Sequence, residues 1–266
     1  MIRCLLLVAL LLVTIPALSR APRPIVWSDP AGDDKGPGNY SYPTDVVYAP
    51  GTFDLREVSL RTRGKVVEIQ VRFASPIQDP WDSRSWEGRG FSLQQVHLYL
   101  DTDVRKDKGH RDTLPGTGAV FGPERGWERL VILSPHSVKQ VRATLSEVEG
   151  QWKDRVIIPR KLRVKGDTLI ATVSRRALGG RPSSRWALQA LALGMDAFAD
   201  PGTMVIREVN QLSGSHRFGG GTDSDCDPNI LDLVAATDEE QAKALGFLCA
   251  WEEGGPVPAT LSLVSP

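Results

Sequence analysis

The sequence predicts an all-β protein: a two-sheet antiparallel β-sandwich with long loops and at most one or two short helices. Three observations lead there. Short runs alternate apolar and polar residues, as in Val67-Glu68-Ile69-Gln70-Val71-Arg72-Phe73, the period of a half-buried strand. The 25 glycines and 19 prolines fall largely between such runs, where turns belong. Helical periodicity is scarce. Many short strands joined by Gly/Pro-rich turns pack as two facing sheets.

The elements follow in order. Trp27 to Pro50 is rich in Gly, Pro, Asp and Tyr and reads as structured loop. Leu55 to Arg61 and Lys65 to Phe73 flank the turn signal Arg63-Gly64 and read as strands. Gln94 to Leu100 follows, with Val96, Leu98 and Leu100 on one face. Glu128 to Leu133, Val138 to Thr144, Lys161 to Lys165 and Thr168 to Val173 are the next strands expected, the last two joined through Gly166-Asp167. Trp186 to Leu193 and the shorter Met204 to Val209 complete the set. One helix is expected over Thr237 to Leu245: Thr237 is the N-cap, Glu240 sits three residues on, and Gly246 follows the end.

The first residues predict a secretory leader. Arg3 is positive, Cys4 to Ile15 is apolar except for Thr14, and Pro16 precedes the small-residue segment Ala17-Leu18-Ser19. Residues 1–19 are therefore expected to be a signal peptide, with an uncleaved anchor as the alternative. Residues 20–266 are expected to form one domain with a core over about 27–245 and an irregular tail. No other segment is long and apolar enough to cross a bilayer. An extracytoplasmic location follows: secreted, periplasmic or on the cell surface. There, Cys226 and Cys249, the two cysteines outside the leader, suit a disulfide; two free thiols are the alternative. With 32 basic and 32 acidic residues, no global field favours nucleic acid.

Acidic residues gather in loops. Asp29, Asp33 and Asp34 lie within six positions among glycines, and carboxylates with turn carbonyls are what a hard cation such as calcium needs. Asp101 and Asp103 offer a second group. A solvated turn, in which Asp29 and Asp33 bond their own backbone, is the competing reading. Tyr40, Tyr42, Trp81, Trp86 and Trp127 stand in polar, Gly/Pro-rich surroundings. Flat rings there can stack on the C–H faces of sugars, or they can plug the end of the sandwich. Catalytic signals are weak. The four histidines show no metal spacing, and Gly214-Ser215-His216 is not a nucleophile elbow.

The run Asp29-Pro30-Ala31-Gly32-Asp33-Asp34-Lys35-Gly36-Pro37-Gly38-Asn39-Tyr40-Ser41-Tyr42-Pro43-Thr44 resembles the opening of the C-terminal binding domain of glucodextranase, which also occurs in pullulanase- and amylase-type proteins. Phe53-Asp54-Leu55, Gly90-Phe91-Ser92-Leu93-Gln94, Tyr99-Leu100-Asp101-Thr102-Asp103, Gly126-Trp127-Glu128, Arg217-Phe218-Gly219-Gly220-Gly221 and Asn229-Ile230-Leu231-Asp232-Leu233 continue the resemblance in order. It runs from about Trp27 to Leu245. It implies a sandwich related to family-nine carbohydrate-binding modules and DOMON domains, holding polysaccharide or the cell surface rather than cutting it. Calcium, associated with related modules, strengthens the assignment of Asp29, Asp33 and Asp34. No glycosidase domain separates the expected leader from the matched run.

The function expected is thus a non-catalytic, extracytoplasmic carbohydrate-binding or cell-surface module stabilised by calcium, with polysaccharide or cell-wall glycan as partner. A haem-binding electron-transfer module is the alternative, with Met195 or Met204 and a histidine as ligands. A two-carboxylate glycoside hydrolase is the third reading.

Overall fold

The computed structural model describes residues 22–105, 108–148, 150, 152–222, 226–249 and 257–266. The expected leader and the acids Asp223 and Asp225 lie outside the described residues. The strands are β1 (Ile25–Ser28), β2 (Leu55–Arg63), β3 (Val66–Phe73), β4 (Gln94–Asp101), β5 (Ala119–Phe121) and β6 (Arg129–Leu133). They continue with β7 (Val156–Ile157), β8 (Lys161–Lys165), β9 (Thr168–Ser174), β10 (Ala187–Gly194), β11 (Asp232–Leu233) and β12 (Ala259–Leu261). Two α-helices, α1 (Val138–Glu147) and α2 (Asp238–Ala244), accompany them.

The protein is an all-β sandwich. One sheet has the order β1-β2-β3-β9-β8 and the other β11-β10-β4-β6-β7. Pairing is antiparallel in both except for the β6–β7 edge, and β12 pairs with β5 in a separate parallel ladder. In β3 the burial alternates residue by residue: Val67, Ile69, Val71 and Phe73 face the opposing sheet, meeting Val96, Leu98 and Leu100 of β4. Each such side chain, fully buried, contributes roughly 1.5–3 kcal/mol.

The second sheet is covered on its other face as well. Tyr99, Leu130, Ile132, Leu191 and Leu193 pack there with Val141 of α1 and Leu261 of β12. All eight residues of β4 and all eight of β10 are consequently buried. The tail, expected to be irregular, thus supplies a strand to this layer. A third cluster closes one end, where Tyr40, Tyr48, Phe53 and Phe218 pack with Leu93 and Leu231.

Three other expectations change and one holds. Val138 to Thr144 is helix, not strand. Ser137 and Gln140 form a capping box, and Val138, Val141, Leu145 and Val148 recur at helical spacing. Met204 to Val209 forms only isolated bridges, Met195 with Ile206 and Val209 with Phe218. Met204 and Val205 both take left-handed backbone, at φ 58° and 52°, which no strand accommodates. The stretch read as loop from Trp27 begins inside β1, whose Trp27 is buried in the main core. The helix expected over Thr237 to Leu245 is present as α2, with the Thr237 hydroxyl accepting the Glu240 N–H at 3.2 Å.

Candidate functional site: an aromatic cleft and a buried acidic cage

Two segments far apart in sequence build a cleft of about 540 Å³. Trp81 and Trp86 come from the first, and Met195, Asp196, Phe198, Arg207 and His216 from the second. The first segment is held by short-range bonds. Asp79 accepts from the Ser83 N–H at 2.9 Å and from its hydroxyl at 2.7 Å, and the Ser83 hydroxyl accepts the Gly90 N–H. The single 3₁₀ turn Ser83–Trp86 sits between left-handed residues Asp82 and Glu87. Gln140 of α1 donates to the Trp86 carbonyl at 3.0 Å, so the loop is fixed to the body.

The second segment leaves β10 at Met195. Asp196 accepts the Phe198 N–H at 2.9 Å, an Asx-type turn that lifts Phe198 to full exposure. Arg207 crosses beneath. Its guanidinium meets Asp196 at 3.1 Å and donates to the carbonyls of Met195 and His216. His216 lies edge-on to Trp81, ring centroids 5.2 Å apart. The cleft therefore offers exposed rings beside a fixed ion pair. That combination suits an amphipathic ring with C–H faces and hydroxyl edges. Among the described residues lining it, Asp196 is the one carboxylate.

A second arrangement lies around the acidic loop. Asp29 follows β1, Asp33 sits in the turn after it, and Asp232 is in β11; one carboxylate oxygen of each lies within 4.8 Å of the others. All three are buried, with exposures of 6%, 6% and 0%. Asp29 accepts the Ala235 N–H with one oxygen, and its other oxygen is unpartnered, as are both of Asp33. Asp232 accepts from Leu55 and Leu233. Asp54 joins from the residue just before β2, accepting at 2.7 Å from Gly32, whose φ is +83°. Gln241 of α2 bonds the Asp33 carbonyl and accepts the Leu233 N–H, locking the turn to β11.

Burial, and then neighbouring acids, push these carboxyls upward. Asp29 rises to about 8, chiefly by desolvation, and Asp33 to about 6 by the same cause. Asp232, deepest, is raised well above the carboxylate range by burial and then by Asp29 and Asp33. Three converging acids, two of them with orphaned buried oxygens, and with the nearest ion pair among the described residues that of Arg56 to Asp54 at 3.7 Å, are an electrostatic cost that a hard cation would remove. The all-oxygen donor set fits calcium.

The structure distributes the expected residues unevenly. Asp29 and Asp33 come together; Asp34 is turned toward Tyr42, whose hydroxyl donates to it. Asp101 and Asp103 form a separate group with Glu128, and there two of the three carboxylates already have a cation beside them. Arg125 binds Asp101 at 2.7 Å, Arg105 pairs with Asp103 at 3.2 Å, and Glu128 accepts the Thr102 N–H at 2.8 Å. Those two acids build a turn. Trp81 and Trp86 line the cleft. Trp127 does not: it is fully buried beside Tyr99, so it is core, not a stacking platform. Tyr40 is likewise buried, its hydroxyl donating to the Pro228 carbonyl. Tyr42 packs edge-on against Phe53 and Phe218. Cys226 and Cys249 are joined in a disulfide.

Asp232, Asp196, Phe198, Arg207 and His216 were not among the expected site residues. A signal for Asp232 existed: an acid inside the apolar run Ile230-Leu231-Asp232-Leu233-Val234 must either pair or ligate. Among the described residues, no helix is long and apolar enough to cross a membrane.

No curated protein matches the chain. Residues 25–260 match a family described as the C-terminal, SLH-like binding module of glucodextranase. That match spans both sheets and the parallel β5–β12 pair, and the chain belongs to this family of binding modules.

Proposed function

We propose that the protein is a non-catalytic, extracytoplasmic glycan-binding module whose ligand sits in the Trp81–Phe198 cleft. The observation that carries this is the cleft's composition: exposed rings of Trp81 and Phe198 beside the Asp196–Arg207 pair. Rings stack on sugar faces, and the carboxylate accepts hydroxyl protons. A single carboxylate in the cleft gives no acid–nucleophile pair for glycoside cleavage there. The family description supports a binding role, and the Cys226–Cys249 disulfide suits an oxidising compartment. Calorimetric titration against α-glucans and cell-wall glycans tests the reading; the absence of heat with every glycan would remove it.

Calcium held by Asp29, Asp33 and Asp232 is part of this proposal. The ion would neutralise the buried acids and order the turn between β1 and the end cluster. Melting in calcium and in chelator tests it, and an unchanged midpoint would refute it.

One observation favours a second reading. Met195 and His216 both line the cleft, and a Met–His pair is an axial set for haem. A Soret band on haem titration would support it, and its absence dispose of it.

A further inference from the structure

The protein is neutral overall, with 32 basic and 32 acidic residues, yet the solvent face of one sheet is not. Register fixes which side chains share that face. Arg61 stands opposite Glu68, Glu68 opposite Thr172, and Thr172 opposite Lys161. In adjacent rows Gln70 opposes Ile170, which opposes Arg163, and Arg72 opposes Thr168, which opposes Lys165. Arg63 closes the β2 end of the face, opposite Val66. The two acids in the strands of the face are both engaged, Glu68 with Arg63 at 3.4 Å and Glu57 with Arg72 at 3.8 Å; a third, Asp167 in the β8–β9 turn, accepts the Thr168 hydroxyl at 2.7 Å. Arg61, Lys161, Arg163 and Lys165 have no ion-pair partner among the described residues. The three on β8 are exposed.

The same sheet ends in a hollow of about 610 Å³ lined by Lys65, Ser174, Arg175, Arg176, Gly179 and Gly180. Every charged group in that lining is a cation. The turn that carries Lys65 is bound to the β9 end through the Arg175 N–H and the Lys65 carbonyl at 3.0 Å. The hollow lies where β3 begins and β9 ends, next to the Lys161 end of the face, so face and hollow together form one positive surface along β8 and β9.

We infer that this surface binds an anionic glycan, a chain carrying repeated carboxylate or phosphate groups, separately from the aromatic cleft. Side chains on one face of a strand recur every ~7 Å, so Lys161, Arg163 and Lys165 can meet successive negative groups of a polymer. Other polyanions fit less well. The outward residues include no aromatic ring to stack nucleobases. Their apolar members, Val26, Val66 and Ile170, are half-buried or buried, leaving nothing to insert into a bilayer. Membership in a family of binding modules makes a glycan the partner of choice. The inference goes beyond the cleft's ligand and does not depend on it.

The experiment uses the whole chain and measures retention on polygalacturonate and on poly(glycerol phosphate), with dextran as the neutral control. The carboxylate and phosphate arms separate the two sources of charge. Binding to at least one is expected, weakening by at least about tenfold between 50 and 200 mM salt. The triple variant Lys161→Glu, Arg163→Glu, Lys165→Glu should lose at least about tenfold more at low salt, while still melting as the parent does. The milder Lys161→Gln, Arg163→Gln, Lys165→Gln variant should lie between, and guards against a folding defect. Trp81→Ala should retain polyanion binding. No retention of the parent at low salt overturns the inference, as does undiminished binding by the Glu variant. Equal or tighter binding to duplex DNA or to anionic phosphatidylserine vesicles overturns the choice of glycan.

Discussion

The Asp232 carboxylate accepts the backbone N–H of Leu55 at 2.6 Å, bridging the two sheets. A register shift between Leu55 and Glu57 makes this possible, since the β-bulge re-aims the strand's first amide toward β11. Asp232 therefore cannot swing away from Asp29 and Asp33 when no cation offsets them. Asp33, whose own oxygens are unpartnered, is the member that can be neutralised without breaking a bond. Asp33→Asn is expected to raise the melting point in chelator, stabilising the protein by about 1–2 kcal/mol through relieved repulsion. It should abolish the further rise on adding calcium. Scanning calorimetry of parent and variant, each with and without calcium, checks both halves.

Phe198 is fully exposed and Trp81 is 39% exposed, so their removal leaves the core intact. Trp81→Ala and Phe198→Ala are each expected to weaken glycan binding at least about tenfold, with stability changed by no more than about 0.5 kcal/mol for Phe198→Ala. Titration calorimetry on the glycan that binds the parent separates the two quantities. Trp127→Ala should do the reverse, destabilising by roughly 3–5 kcal/mol because that ring is core.

His97 is fully buried between Ile132 and Leu191, with neither ring nitrogen bonded to another protein group. Burial pushes its pKa down to about 3. The unfolded chain, with an ordinary histidine, takes up a proton below about pH 6.5 that the folded chain refuses. The unfolded state thus binds more protons between pH 6.5 and 3, and stability falls as the pH drops through that window. The loss should be about 2 kcal/mol from this residue by pH 5. His97→Leu, similar in volume, should flatten that part of the pH profile and raise stability at pH 7 by about 1–2 kcal/mol. Urea melts at pH 5, 6 and 7 provide the comparison.

The Cys226–Cys249 bond spans a separation of 23 residues. On the chain-entropy account it stabilises by about 3 kcal/mol. Replacing both cysteines with serine should lower the midpoint by roughly 6–12 °C for a chain of this size. The same reduction in dithiothreitol would confirm that the bridge, not the substitution, is responsible.

What could be read from the sequence depended on solvent exposure. β3 was legible because one of its faces is wet, which enforces alternation. β4 and β10 alternate less informatively, since Gln95, His97 and Gln189 are polar yet buried under the second layer. α1 was hidden by its β-branched Val138 and Val141, which suit either element until the Ser137–Gln140 box is weighed. The acidic loop announced itself by density of charge, but its third member, Asp232, arrives about 200 residues later in the chain and needs the sheet pairing to be placed. Trp81 and Trp86 were recognisable as loop aromatics. Trp127 has the same kind of neighbours and is core, because its Nε1–H finds the Asp112 carbonyl at 2.9 Å and seals the ring inside. The cleft itself is a tertiary fact, assembled from two stretches more than a hundred residues apart.

The indole of Trp27 donates to the carbonyl of Val264 at 2.9 Å, so the first strand and the segment around Val264 meet. Cargo fused ahead of residue 22 and cargo fused after residue 266 would emerge side by side. A short peptide could also tie the two ends into a ring, with a new opening cut at an exposed turn such as Gly64 or Gly166. The domain is in this sense a closed bead, ready to be threaded into another polypeptide without being pulled apart.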